Sequence, residues 1–489
     1  MAAVRPELRH DEPTLVDLYD RGRLLDELAE HCTFGPTPLV VGLHGDWGSG
    51  KTSFLCQLEM ALTNQCPRLN TVFNSSRVTE EEAAHRQIWG RGWSRGLKVV
   101  WFEAWRYQHE PNPVLPLLAE VRRQFDPGSK GLAHLGSWFT GAKRDQLQGG
   151  LNILDKLIDH IGKVSPVIAM ADPTIGLAAS LLAAVPKQEA KSAIGASELR
   201  EQLDHAIATI VDTLFKDDRK SPAPTGRKKE PRLVVIVDDL DRCEPEAAFR
   251  ILESLKVYLN LKSTVFVLAM NQTIVEKALA DRFRKDLTSA QAKARAREYL
   301  GKMCQNVWHL HYPRTVNEIV RDLAQERLAT GQNKELLELA VQLIGKHCAL
   351  PPTPRTLRTF VNVLERFAHN SPQTASPVEK DAAAMVIAAY FYCFHPEFIR
   401  LLAYTNDFYT NQIVPFANGD EAKFSSAFNV FTGHLPNTSL GEMDSASFDA
   451  KLAHLNYADP VTDARFHVRK LVSTFPSLLR TDFEPYLKL

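Results

Sequence analysis

The stretch GDWGSGKTS, residues 45–53, follows directly on the apolar run PLVVGLH at 38–44. Glycines at 45, 48 and 50 let the backbone curl so that successive N–H groups converge on an anion. The spacing GxxxxGK followed by Thr52 is that of a phosphate-binding loop, or P-loop. In that chemistry Gly45, Asp46, Trp47, Gly48, Ser49, Gly50, Lys51, Thr52 and Ser53 cradle a nucleotide. Lys51 reaches the β and γ oxygens of the triphosphate and the Thr52 hydroxyl ligates Mg2+. An ordinary glycine turn is the alternative; a strand before the loop and a helix after it argue against that.

A second block, VVIVDDLD at 234–241, supplies the partner. Carboxylates at the end of a buried strand are costly unless they hold a metal or a donor. Asp238 is expected to hold the Mg2+ shell through water, and Asp239 to orient or deprotonate an attacking water. Asp241 is a second candidate for that role, or an N-cap ahead of the helix PEAAFR. Asn271 ends the run TVFVLAMN and either contacts the γ-phosphate or the water, or caps the helix QTIVEKALADRF.

These residues need a scaffold. Short β-rich apolar runs at 38–44, 97–105, 232–241, 264–271 and 306–313 alternate with helix-patterned stretches, which predicts an α/β fold with a parallel sheet covered on both faces. About a hundred positions, 127–231, separate the second run from the third, far more than a crossover of about a dozen residues needs, so they are an insertion. It holds the amphipathic pieces LNILDKLIDHIGKV and SELREQLDHAIATIVDTLF, an Ala-rich segment at 166–186, and the charged, Pro-containing linker KDDRKSPAPTGRKKEPR. Beyond 313 the helical period dominates. The expected division is a nucleotide core over 1–313, a helical lid over 314–370 and a C-terminal helical domain over 371–489, with NSPQTASP at the boundary.

Composition narrows the partners. Lysine plus arginine balance aspartate plus glutamate at 58 each, so no global field draws the chain to nucleic acid or anionic lipid. Seven scattered cysteines with no CxxC pair give neither a disulfide framework nor a zinc site, and the polar N-terminus lacks an export signal, so a cytoplasmic location is expected. Residues 166–186 approach the length of a membrane span, but Asp172 and Pro173 interrupt them, so a buried or interfacial helix is preferred. HRQIWGRGWSRGLK, 85–98, interleaves Arg86, Arg91, Arg95 and Lys98 with Trp89 and Trp93; nucleic-acid contact there is the alternative to a solvated surface. Arg282, Arg284, Arg295 and Arg297 are candidates for an arginine finger to a neighbouring subunit.

GDWGSGKTSFL, VVWFEAWRYQ, VVIVDDLDRC, FVLAMNQTIVEKAL, YLGKMCQNVWHL and TPRTLRTFVN, in this order, resemble the KAP family of P-loop NTPases over roughly 14–365. The resemblance implies ATP binding and hydrolysis on an ASCE-type sheet of order 5-1-4-3-2, and an insertion that often carries transmembrane helices. The insertion here is less hydrophobic than a membrane hairpin, which suggests a soluble member. By position, Arg355 resembles the lid arginine that senses the γ-phosphate, with Arg358 the near alternative. Glu103 stands where the family commonly has Asn, and either couples the water to a partner or pairs with Arg106. Trp101, Trp105 and Tyr107 are read as packing residues.

The expected function is a switch: Mg-ATP closes the lid, the closed state assembles with itself or with a partner effector protein, and hydrolysis resets it. The family suggests a bacterial setting, with phage defence as the role. A nucleotide-binding scaffold with little turnover is the alternative, because Asp239 is shorter than the Glu many ATPases place there. A phosphotransferase is a third, opposed by the lid, Asn271 and Arg355. No nuclease, protease or deaminase pattern shows in 378–489, which puts any effector chemistry in another chain.

Overall fold

A computed structural model describes residues 13–63, 66, 97–110, 112–125, 141–169, 196–215, 230–258, 261–284, 287–304, 306–330, 333–372, 377–404, 407–418 and 467–487. The chain forms two compact units, Pro13–His311 and Tyr312–Leu489. The first contains α1 (Gly22–Phe34), β1 (Leu39–His44), α2 (Lys51–Thr63), β2 (Leu97–Glu103), α3 (Val114–Gln124), α4 (Gly141–Ala169) and α5 (Ala196–Phe215). It continues with β3 (Arg232–Asp238), α6 (Pro245–Tyr258), β4 (Thr264–Met270), α7 (Gln272–Phe283), α8 (Ser289–Met303) and β5 (Asn306–His309).

The strands make one parallel five-stranded sheet in the order β2-β3-β4-β1-β5, which is the 5-1-4-3-2 order expected from the family resemblance. β1, β3 and β4 are buried along their whole length, which is why they read as unbroken apolar runs. Successive side chains point to opposite faces, so one run feeds two cores. Val41, Leu43, Val99, Ile236 and Val267 face α1 and α2, while Val40, Val100, Val235, Phe266 and Leu268 face α3 to α8. Each fully buried large apolar side chain contributes about 1.5–3 kcal/mol.

Helix α2 is enclosed over every residue from Phe54 to Leu62, so it is apolar nearly all round. Its one acidic member, Glu59, is buried and accepts the Trp101 indole N–H at 2.8 Å. At the start of β3, the buried Arg232 donates to the carbonyl of Gly35 at 2.6 Å, placing a cation at the C-terminus of α1. In the insertion, α4 and α5 pack through Leu147, Leu151 and Leu154 against Leu203, Ile207 and Ile210, in the same cluster as one face of the sheet. Both of its amphipathic pieces are therefore core helices. Most of segment 166–186 and of the linker 216–232, and all but Leu97 and Lys98 of the block at 85–98, lie outside the described residues.

The second unit is helical: α9 (Val316–Thr330), α10 (Lys334–His347), α11 (Pro354–Asn370), α12 (Glu379–Phe394), α13 (Pro396–Tyr404), α14 (Val414–Ala417), α15 (Arg469–Thr474) and α16 (Arg480–Leu487). Helix α12 is buried from Ala382 to Phe391 and forms its centre. Helix α11 has a one-sided apolar stripe, Leu357, Phe360, Val361, Leu364 and Phe367; Pro354 opens it with φ already set for a helix. Arg355 and Arg358 occupy its first turns, both partly buried. Among the described residues no helix is long and apolar enough to cross a membrane.

Candidate nucleotide site

The loop 45–50 leaves the carboxyl end of β1, anchored by the Gly45 N–H donating to the Met270 carbonyl of β4 at 3.2 Å. It ends at the N-terminus of α2, where unpaired helix N–H groups favour an anion. Gly48 and Gly50 have φ of 75° and 87°, a region costly for any residue with a Cβ. At Gly45 a Cβ would lie 2.6 Å from the Ser49 Oγ and 3.3 Å from Leu310, so a side chain fits there only if Ser49 turns away.

Two contacts join this loop to the end of β3. The Thr52 hydroxyl donates to Asp238 Oδ2 at 2.9 Å. The Lys51 ammonium donates to Asp241 Oδ2 at 3.1 Å and to the carbonyls of Gly45 and Asp46 at 2.9 and 3.2 Å. Asp238 is fully buried, and its other oxygen accepts the Asp239 N–H at 2.9 Å, so both carboxylate oxygens are oriented. Strand register then sets Glu103 of β2 beside Asp238.

After β3 the chain turns sharply. Asp239 takes a left-handed conformation, φ 59° and ψ 28°, and a single 3-10 turn spans Leu240–Arg242. A left-handed non-glycine residue costs of order 1–3 kcal/mol and persists only where its surroundings hold it. Asp239 is paired with Arg242 at 2.8 Å. Asp241 turns inward to Lys51; the residue just before α6 is Glu244, whose carbonyl starts that helix. The capping alternative for Asp241 thus has no counterpart in this geometry.

Asn271 closes β4 and caps α7, its side-chain oxygen accepting the Ile274 N–H at 3.2 Å. That is one of its two expected placements, and it leaves the residue at the carboxyl rim with Gly45 and Asp238. Ser49 is buried, Ser53 Oγ accepts the Thr14 N–H at 3.2 Å, and Asp46 and Trp47 are exposed. Glu103 forms an ion pair with Arg106. Trp101 is core, Tyr107 stacks on Phe102 and Trp105 is half exposed. The arginines considered as fingers have partners within the chain: Arg284 with Asp281, Arg295 with Glu298, Arg297 with Glu276, and Arg282 over the Phe249 ring. Arg355 and Arg358 belong to the helical unit.

The convergence of loop, helix N-terminus and acidic strand end is the geometry of a P-loop site, and a family profile described as the KAP family P-loop domain matches residues 24–370. The chain belongs to the KAP family. No curated protein matches it. As a KAP protein it is a nucleotide-binding protein of the P-loop NTPase class.

Three residues of this KAP protein escaped the motif reading. Arg21, buried just before α1, donates to the Ser49 carbonyl and to the His311 carbonyl, each at 2.8 Å, and so braces the loop from behind. Arg242 is inside the acidic motif, but its partners are visible only in space. His44, the last residue of β1, is buried, and burial lowers its pKa, with the nearby His309 and Lys51 charges acting in the same direction. Gln272 donates to Glu276 at 2.6 Å, which turns its carbonyl oxygen toward His44 Nδ1 at 2.7 Å; that nitrogen therefore carries the proton of the neutral ring.

Proposed function

We propose that the chain binds and hydrolyses ATP with Mg2+, as a nucleotide-driven switch. The observation that supports this best is the meeting of Thr52 with Asp238 and of Lys51 with Asp241. These are side chains 186 and 190 positions apart in sequence, brought within hydrogen-bond distance at a helix N-terminus.

The residues suit the cation. Thr52 and Asp238 present hard oxygen donors side by side, the kind Mg2+ takes directly or through water. When bound, the ion would neutralise charge on the β and γ phosphates. The protein supplies the rest. Backbone N–H groups of 45–52 bind phosphate oxygens, and Lys51 leaves Asp241 for the β and γ oxygens. Asp239, or Asp241 once released, orients the attacking water and accepts its proton. Asn271 stays on its helix cap and marks the edge of the γ-phosphate position. In this reading Arg355 responds to the γ-phosphate. Assembly with itself or with an effector protein, and a bacterial role against phage, extend the same reading from the family resemblance.

Phosphate release from full-length protein with Mg-ATP, compared with Lys51→Ala, tests it. Release above that control is expected. Nucleotide binding without release would instead support a scaffold, and a stable phosphorylated acceptor would support a phosphotransferase.

A further inference from the structure

Two of the contacts between the phosphate loop and the acidic turn use Lys51 and Thr52, the groups that must turn to phosphate and cation when a nucleotide arrives. A third tie does not. The Arg242 guanidinium holds Asp239 Oδ1 at 2.8 Å and lies 5.4 Å from the centre of the Trp47 ring, so one planar cation joins the turn to the loop. Trp47 is 49% exposed in a polar loop and adds little to the core, and the Arg242 cation lies over its ring. Asp239 meanwhile holds a left-handed backbone conformation, and the Arg242 N–H donates to the Asp239 carbonyl at 3.2 Å across the same turn.

We propose that Arg242, lying over Trp47, is a positioning residue: it fixes the Asp239 carboxylate relative to the phosphate loop, and it remains in place after nucleotide has drawn Lys51 and Thr52 away. This rests on the hydrolytic reading above. An Asp is one methylene shorter than Glu, so its reach to the water depends on where the turn is held. A guanidinium can bond a carboxylate through its N–H groups and at the same time lie against an indole; an ammonium is a point charge that serves the first contact better than the second.

The test uses full-length protein, with phosphate release at saturating Mg-ATP and affinity for a non-hydrolysable ATP analogue measured separately. Arg242→Ala should lower kcat by about ten- to a hundredfold, the scale of a misplaced group, while affinity changes by less than about threefold. Arg242→Lys should recover part of the rate. Trp47→Ala should lower kcat less, and in combination with Arg242→Ala should lower it no further. Trp47 emission, taken in the wild-type and Arg242→Ala backgrounds each as the difference from its own Trp47→Phe variant, should shift on loss of Arg242 with the analogue bound; this readout needs no turnover and shows whether the contact persists.

An unchanged or raised kcat in Arg242→Ala, additive losses in the double variant, or identical Trp47 emission with and without Arg242 would overturn the proposal alone. If wild type releases no more phosphate than Lys51→Ala, the hydrolytic reading fails and this role fails with it.

Discussion

The Lys51–Asp241 pair allows the site to be tested without any nucleotide. The two side chains are 10% and 3% exposed at a separation of 3.1 Å. Lys51→Ala removes the ammonium and strands a carboxylate inside the protein, a lesion that costs about 3–5 kcal/mol. Asp241→Asn is milder, because Lys51 keeps the Gly45 and Asp46 carbonyls, and costs about 1–2 kcal/mol. In Lys51→Ala/Asp241→Asn a neutral amide replaces the stranded charge, so about 2–3 kcal/mol of the loss returns. The sheet unit spans residues 13–311. An unfolding entropy of about 2.1 cal/mol/K per residue then gives about 0.6 kcal/mol/K, and each kcal/mol moves the midpoint by about 1.6 °C. Scanning calorimetry of the full chain should show Lys51→Ala lower by about 5–8 °C, and the double variant higher than it by about 3–5 °C. The difference should survive high salt, because a buried pair is poorly screened. A Lys51→Ala protein as stable as wild type, or a double variant less stable than Lys51→Ala, would refute the pairing.

Two further outcomes follow from buried polar groups near the sheet. Trp101→Phe removes the indole donor to the buried Glu59 carboxylate and should cost about 1.5–3 kcal/mol, a midpoint drop of about 2–5 °C, where an equally sized exchange at the half-exposed Trp105 should cost little. The lowered pKa of His44 means that the unfolded chain takes up a proton near 6.5 while the folded ring resists it. The stability this contributes is complete above pH 6.5 and is lost as pH falls through the folded value. His44→Asn, which keeps an N–H donor for Gln272 and cannot titrate, should flatten the fall of the melting midpoint below pH 6.5; an unchanged slope would remove His44 from the account.

Sequence alone determined the local chemistry and the class of fold. GDWGSGKT announces itself because the positive φ at 48 and 50 strongly favours glycine, and that preference is written in residue type. The unbroken apolar runs at 39–44, 232–238 and 264–270 announce strands covered on both faces, because burial on two sides leaves no polar alternation to see. Residue type also made Asn271 readable as a cap, since capping is a contact three residues long. Tertiary structure decided what lies between distant segments. That Asp241 faces Lys51 rather than α6, and that Arg242 reaches from Asp239 to Trp47, depend on the order β3-β4-β1 and on the sharp turn at Asp239. Such contacts are set by the register of strands joined through more than a hundred intervening residues, and no spacing within a single segment encodes the direction in which a side chain finally points.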